Sequence, residues 1–179
     1  VGLPITETRP PVAATNRPLV VAHRGASSVL AEHTLSAYQW AIDAGADALE
    51  CDVRLTRDGH LVCVHDRKVD RTSDGRGAVS ALELTDLAAL DFASWRSDGS
   101  TGSGQFPGPS RRPVSGSEPD RISSEDLGVL TLERLLEVVV SAPRPIGLLI
   151  ETKHPTRYAG LVEYELIELL KRFGLIAAP

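Results

Sequence analysis

Between residues 48 and 56 the chain reads ALECDVRLT, and from Leu49 to Thr56 apolar and polar side chains alternate without a break. Leu49, Cys51, Val53 and Leu55 fall on one face of an extended strand; Glu50, Asp52, Arg54 and Thr56 fall on the other. Upstream, LVVAHRG (19–25) predicts a short buried strand that runs into a glycine turn. Thr34 then predicts the N-cap of a helix whose Leu35, Tyr38, Ala41 and Ile42 form an apolar stripe, closed by Gly45. Strand, helix, strand in this order is the cadence of a parallel α/β sheet.

The pattern continues downstream. Asp58-Gly59 is a turn signal, LVCVHD (61–66) a further strand, and 66–77 a charged loop. Thr85 is expected to cap a short helix through Leu90, and Thr131 an amphipathic helix over 132–141 stopped by Pro143 and Pro145. IGLLIETK (146–153) predicts a strand with a polar end, followed by a helix over 161–173 with Gly174 as its stop. The Gly-, Ser- and Pro-rich stretch within 94–128 has too little apolar surface to pack and is expected to be a flexible insertion. The expected organisation is a leader over 1–18 and one domain over 19–179, with no internal repeat of fixed period.

Composition narrows the function classes. At 179 residues and 42% hydrophobic content, the chain can bury a core. Its 24 acidic against 19 basic residues give a net charge of −5, which argues against nucleic acid as a partner. Cys51 and Cys63 are too few for a disulfide framework and read as small buried hydrophobes, suiting a reducing compartment. No apolar run approaches the ~18 residues of a membrane span, and the leader lacks the basic and apolar regions of a secretory signal, so a cytoplasmic location is expected.

The apolar strands end in polar residues: His23-Arg24-Gly25, His65-Asp66, and Glu151-Thr152-Lys153, with Glu50 and Asp52 near the end of the alternating strand. In a parallel sheet the C-terminal strand ends form the face where ligands bind. Glu50 and Asp52 point the same way, with Cα atoms about 6 to 7 Å apart. Together with Glu151 they offer three oxygen donors, a set suited to Mg²⁺ or Ca²⁺ rather than Zn²⁺. Alone, the E-x-D pair would more often be the solvated face of an amphipathic strand, alongside Arg54; together with the other strand ends, the metal reading is the better one. His23 and His65 can act as an acid–base pair, where a single strand-end histidine would more often be structural. Arg24 and Lys153 either bind a phosphate or neutralise the carboxylates. His60 is expected to be exposed at its turn; His33 and His154 stay open.

Taken together, these residues resemble the glycerophosphodiester phosphodiesterase family, in its bacterial, actinobacterial-type form. The family's order is H-R-G, P-E-N-T, E-x-D-V, T-x-D-G, H-D, R-T-T and E-x-K. Here it is matched by His23-Arg24-Gly25, Ala31-Glu32-His33-Thr34, Glu50-Cys51-Asp52-Val53, Thr56-Arg57-Asp58-Gly59, His65-Asp66, Arg71-Thr72-Ser73 and Glu151-Thr152-Lys153. The chain departs from the pattern at Ala31, in place of proline, and at His33, in place of asparagine.

The resemblance implies an α/β fold, a (β/α)₈ TIM-type barrel of which this chain supplies about the N-terminal half. It implies hydrolysis of glycerophosphodiesters to sn-glycerol 3-phosphate and an alcohol. By the same resemblance Glu50, Asp52 and Glu151 hold one divalent cation, Mg²⁺ or Ca²⁺, His23 and His65 form the acid–base pair, and Arg24 and Lys153 contact the phosphate. A full barrel of this kind needs about 250 residues, so the chain is expected to be C-terminally truncated, with self-association through an open half-barrel. Two alternatives stand beside this expectation. One is phospholipase D-like hydrolysis of lysophospholipids, disfavoured by an insertion without apolar clusters for membrane docking. The other is a catalytically silent fragment that binds a cation or phosphate.

Overall fold

The computed structural model describes residues 17–96, 127–153 and 160–176. Most of the expected leader, most of the Gly/Ser-rich insertion and His154 lie outside the described residues. In chain order the described elements are β1 (Val21–His23), α1 (Leu35–Asp43), β2 (Ala48–Leu55), β3 (Leu61–Cys63), α2 (Leu84–Ala88), α3 (Leu132–Ser141), β4 (Gly147–Thr152) and α4 (Leu161–Arg172). Short 3₁₀ turns flank α2, at Val79–Ala81 and Ser94–Arg96.

β2 organises the sheet because it alone among the described strands pairs with all three others. β1 runs parallel to its first half, His23 lying opposite Glu50. β4 runs parallel along its other edge, Glu151 lying opposite Asp52. β3 is antiparallel, Cys63 lying opposite Val53. The reversal is built by the turn after β2. Gly59 takes a left-handed φ of 87°, and Thr56 Oγ1 donates to Asp58 at 2.6 Å while accepting from His60 N–H at 2.9 Å. The common rim of parallel strand ends is therefore corrected at one strand. His65 reaches that rim only because β3 folds back along β2, with Val64 N–H donating to Asp52 C=O at 3.0 Å.

The alternation in β2 sorts its side chains as the pattern predicts. Leu49, Cys51 and Val53 are fully buried in one apolar cluster with Leu35, Tyr38 and Ile42 of α1, Leu132, Leu135 and Leu136 of α3, and Val162 and Leu169 of α4. Each such large side chain contributes about 1.5–3 kcal/mol by leaving water. Both cysteines are free and buried within this cluster. The caps at Thr34 and Thr131 form as expected, accepting from Ala37 N–H and Arg134 N–H.

Two further expectations are corrected. The segment before His23 is not buried: Leu19, Val20 and Val21 are all exposed, because β1 pairs with a described strand on one edge only. The short helix starts at Leu84 rather than after Thr85. Asp86 accepts from Glu83 N–H at 2.9 Å, and Asp58 accepts from Leu84 N–H at 3.0 Å, so carboxylates satisfy the first amides. No described helix is long and apolar enough to cross a membrane.

Candidate active site

The polar face of β2 carries the centre of the site. Glu50 is held by the turn after β1: its carboxylate accepts from Arg24 N–H at 3.0 Å and lies 3.8 Å from His23 Nε2. That turn depends on Gly25, whose φ is 79° and where a Cβ would stand 2.9 Å from the Ala37 backbone of α1. No other residue fits there without moving the helix.

Asp52 is 1% exposed, so the solvated-face reading does not apply to it. Three groups converge on its carboxylate: His33 Nε2 and Arg24 Nε, each 3.1 Å from Oδ2, and Lys153 Nζ, 3.4 Å from Oδ1. Burial pushes its pKa up, but the His33 hydrogen bond and the Lys153 and Arg24 charges outweigh burial and bring it down to about 2. Glu151, at the end of β4, is exposed and lies 2.6 Å from Lys153 Nζ, and this contact raises the lysine's pKa. Ligand oxygens of Glu50, Asp52 and Glu151 all fall within 4.8 Å of one another.

His65 enters from β3. Its Nδ1 lies 2.7 Å from Asp66 Oδ1, and Arg71 Nε donates to Asp66 Oδ2 at 2.7 Å. Arg71 also pairs with Glu32 at 2.7 Å, and Glu32 pairs with Arg24 at 3.2 Å. A continuous chain of charge pairs thus joins His65 to Asp52. The Arg71 guanidinium holds the Asp66 carboxyl well below the usual carboxylate range.

The structure brings His23, Arg24, Glu50, Asp52, Glu151 and Lys153 together directly, and His65 through this chain. Arg24 and Lys153 stand against carboxylates, which is the neutralising role weighed for them from sequence. Sequence reasoning assigned no task to Glu32, Asp66 or Arg71, although all three lie inside the motifs quoted above. It also passed over Arg54, which donates from Nε and one terminal nitrogen to His65 C=O, at 3.0 and 2.6 Å, and from the other to Lys153 C=O. One side chain of β2 thereby ties the ends of β3 and β4. Replacing Arg54 by leucine is expected to cost about 1–3 kcal/mol, the penalty for stranding the two carbonyls, read as a lower urea midpoint.

Residues 23–173 match the model of the Glycerophosphoryl diester phosphodiesterase family. The chain belongs to that family. It is 50% identical over 166 residues to a probable glycerophosphodiester phosphodiesterase 1 of Mycobacterium tuberculosis, covering 90% of this chain and 52% of the relative. It is 34% identical over 161 residues to the glycerophosphodiester phosphodiesterase of Bacillus subtilis, covering 90% and 48%. Among solved structures, an Oleispira antarctica phosphodiesterase in complex with the product sn-glycerol-3-phosphate superposes with a TM-score of 0.68 at 28% identity, over 87% of this chain and 53% of that one. A glycerophosphodiester phosphodiesterase of Agrobacterium tumefaciens superposes with a TM-score of 0.64 at 26% identity, over 89% and 55%. The chain spans about half the length of the curated relatives it matches. In this family's terms, the described strands and helices are part of a TIM-type barrel.

Proposed function

We propose that the protein hydrolyses glycerophosphodiesters to sn-glycerol 3-phosphate and an alcohol, with a divalent cation. One observation carries this reading: three carboxylates converge within ligand distance of one another on the rim that also bears His23 and His65. The donor set fits a hard cation, Mg²⁺ or Ca²⁺, because it is all oxygen. Asp52 Oδ1 fits it further, being buried without a hydrogen-bond partner. Glu50, Asp52 and Glu151 would hold the ion, which when bound stabilises negative charge on the phosphoryl oxygens.

The protein's own groups would do the rest. Arg24 and Lys153 are cations at the same rim and suit the phosphate of the substrate. His23 and His65 would move the protons, one activating the nucleophile and the other protonating the leaving alkoxide. A neutral His65 that donates from Nδ1 to Asp66 presents Nε2 as an acceptor, and Asp66 would stabilise the imidazolium once formed. Self-association through the edges of β1 and β4 that pair with no described strand belongs to the same reading, supported by the exposure of Val21 and Leu149. So does a cytoplasmic setting, supported by two free, buried thiols.

The test is release of glycerol 3-phosphate from glycerophosphocholine, with and without a chelator. The expected result is release that stops on chelation and returns on adding Mg²⁺ or Ca²⁺. Release that ignores the chelator would overturn the cation assignment. Calorimetric binding of the cation with no turnover would favour the silent binding fragment, a second reading that the half-length match to the relatives keeps in view.

A further inference from the structure

His33 has no task in the reaction just described, yet it is the most constrained side chain at the rim. It arrives from the loop between β1 and α1 rather than from a strand end, and only 6% of it is exposed. Its backbone is left-handed, with φ 60°, a conformation uncommon outside glycine. His33 N–H donates to Arg24 C=O at 3.1 Å, which pins that conformation. Both ring nitrogens are engaged, Nδ1 at 2.7 Å from Tyr38 Oη and Nε2 at 3.1 Å from Asp52 Oδ2.

An inventory of protons fixes the direction of the bond to Asp52. Asp52 stands among cations and is ionised at neutral pH, so it only accepts, and Nε2 must carry a proton. Tyr38 has one proton to place. Its Oη donates to Glu50 C=O at 3.2 Å and lies 2.7 Å from His33 Nδ1. Whichever way the Tyr38 contact runs, His33 Nε2–H donates to the Asp52 carboxylate, and the phenol braces the ring from its Nδ1 side.

This arrangement divides the two oxygens of Asp52. Oδ2 takes the His33 bond and faces Arg24 Nε; Oδ1 is buried without a hydrogen-bond partner, and Lys153 Nζ stands 3.4 Å from it and 2.6 Å from Glu151 Oε1, on the side of the carboxylate cluster. We propose that His33, backed by Tyr38, is a positioning residue that holds the Asp52 carboxylate with Oδ1 turned toward a divalent cation. The proposal rests on the cation reading above. Its physical basis is general: a metal-binding carboxylate whose rotation is fixed by an outer hydrogen bond binds tighter than one left to rotate.

Titration calorimetry of the intact protein with Mg²⁺ and with Ca²⁺ reads the dissociation constant without any turnover. His33→Ala is expected to weaken binding about 10- to 100-fold. His33→Asn keeps an N–H donor on a residue type that tolerates the left-handed backbone, and is expected to recover part of the loss. Tyr38→Phe keeps the ring in the core but removes the hydroxyl that braces His33 Nδ1, and is expected to weaken binding in the same direction by less. Unchanged affinity in His33→Ala overturns the proposal and leaves the cation site standing. Should that variant fail to fold, unchanged affinity in Tyr38→Phe overturns it instead. No binding of either cation to the unsubstituted protein removes the cation reading and this proposal together.

Discussion

Asp52→Asn is expected to lower kcat/KM for a glycerophosphodiester by about 10³-fold or more, since a bound cation is worth several kcal/mol at the transition state. The substitution is nearly isosteric but removes the charge on which Arg24, Lys153 and the His33 bond converge. Two consequences separate chemistry from folding. Loss of the ligand should show as lost cation affinity in calorimetry. Loss of the buried charge should cost about 2 kcal/mol of stability, because its cationic partners are left facing a neutral amide.

The pH dependence of that stability follows from the depressed carboxyl. With a pKa of about 2 against an ordinary 3.8, Asp52 in the cation-free protein stabilises the fold fully above pH 3.8. The contribution, about 2 kcal/mol, disappears as pH falls through 2. Acid denaturation of Asp52→Asn, followed in the presence of a chelator, should lack that part of the slope. An unchanged acid limb would show that the carboxyl is not held ionised by its neighbours.

The second large effect is expected at His65. His65→Gln should reduce turnover by about 10²- to 10⁴-fold, the range that a positioned proton-transfer group contributes, while leaving cation affinity nearly unchanged. The distinction matters because His65 reaches the carboxylates only through Asp66, Arg71, Glu32 and Arg24. Rapid-quench kinetics with glycerophosphocholine, alongside calorimetry, would read both quantities on one sample. If His65→Gln instead abolished cation binding with turnover, the residue would be holding the rim together rather than moving a proton.

How far the sequence foretells such a site depends on the distance over which each feature is determined. The carboxylates of β2 were legible because alternation within one strand settles which side chains share a face. Thr34 and Thr131 were legible because each caps an amide three residues on. The start of α2 was not, since the Asp58 carboxylate that accepts from Leu84 N–H lies 26 residues upstream. Arg54 was seen on the correct face but not given a task, because its acceptors are backbone carbonyls just past the ends of two other strands. His33 stayed open for a similar reason: a left-handed backbone and a fold-dependent contact bring it to Asp52, and neither has a local signature. The exposure of Leu19 and Val21 was missed because an apolar run states what a strand could bury, not which neighbours are present to cover it.

β2 bonds to every other described strand and also bears two of the three carboxylates. Folding and ligand binding therefore draw on the same eight residues, and the two equilibria are linked. A cation that binds only the folded chain adds RT ln(1 + [L]/Kd) to its stability, about 2.7 kcal/mol at a hundredfold excess over Kd. Against a typical folding stability of about 5–15 kcal/mol, that increment is substantial. The amount of intact protein in a cell would then follow divalent-ion supply, and scarcity would be felt as turnover of the polypeptide before it was felt as a change in rate.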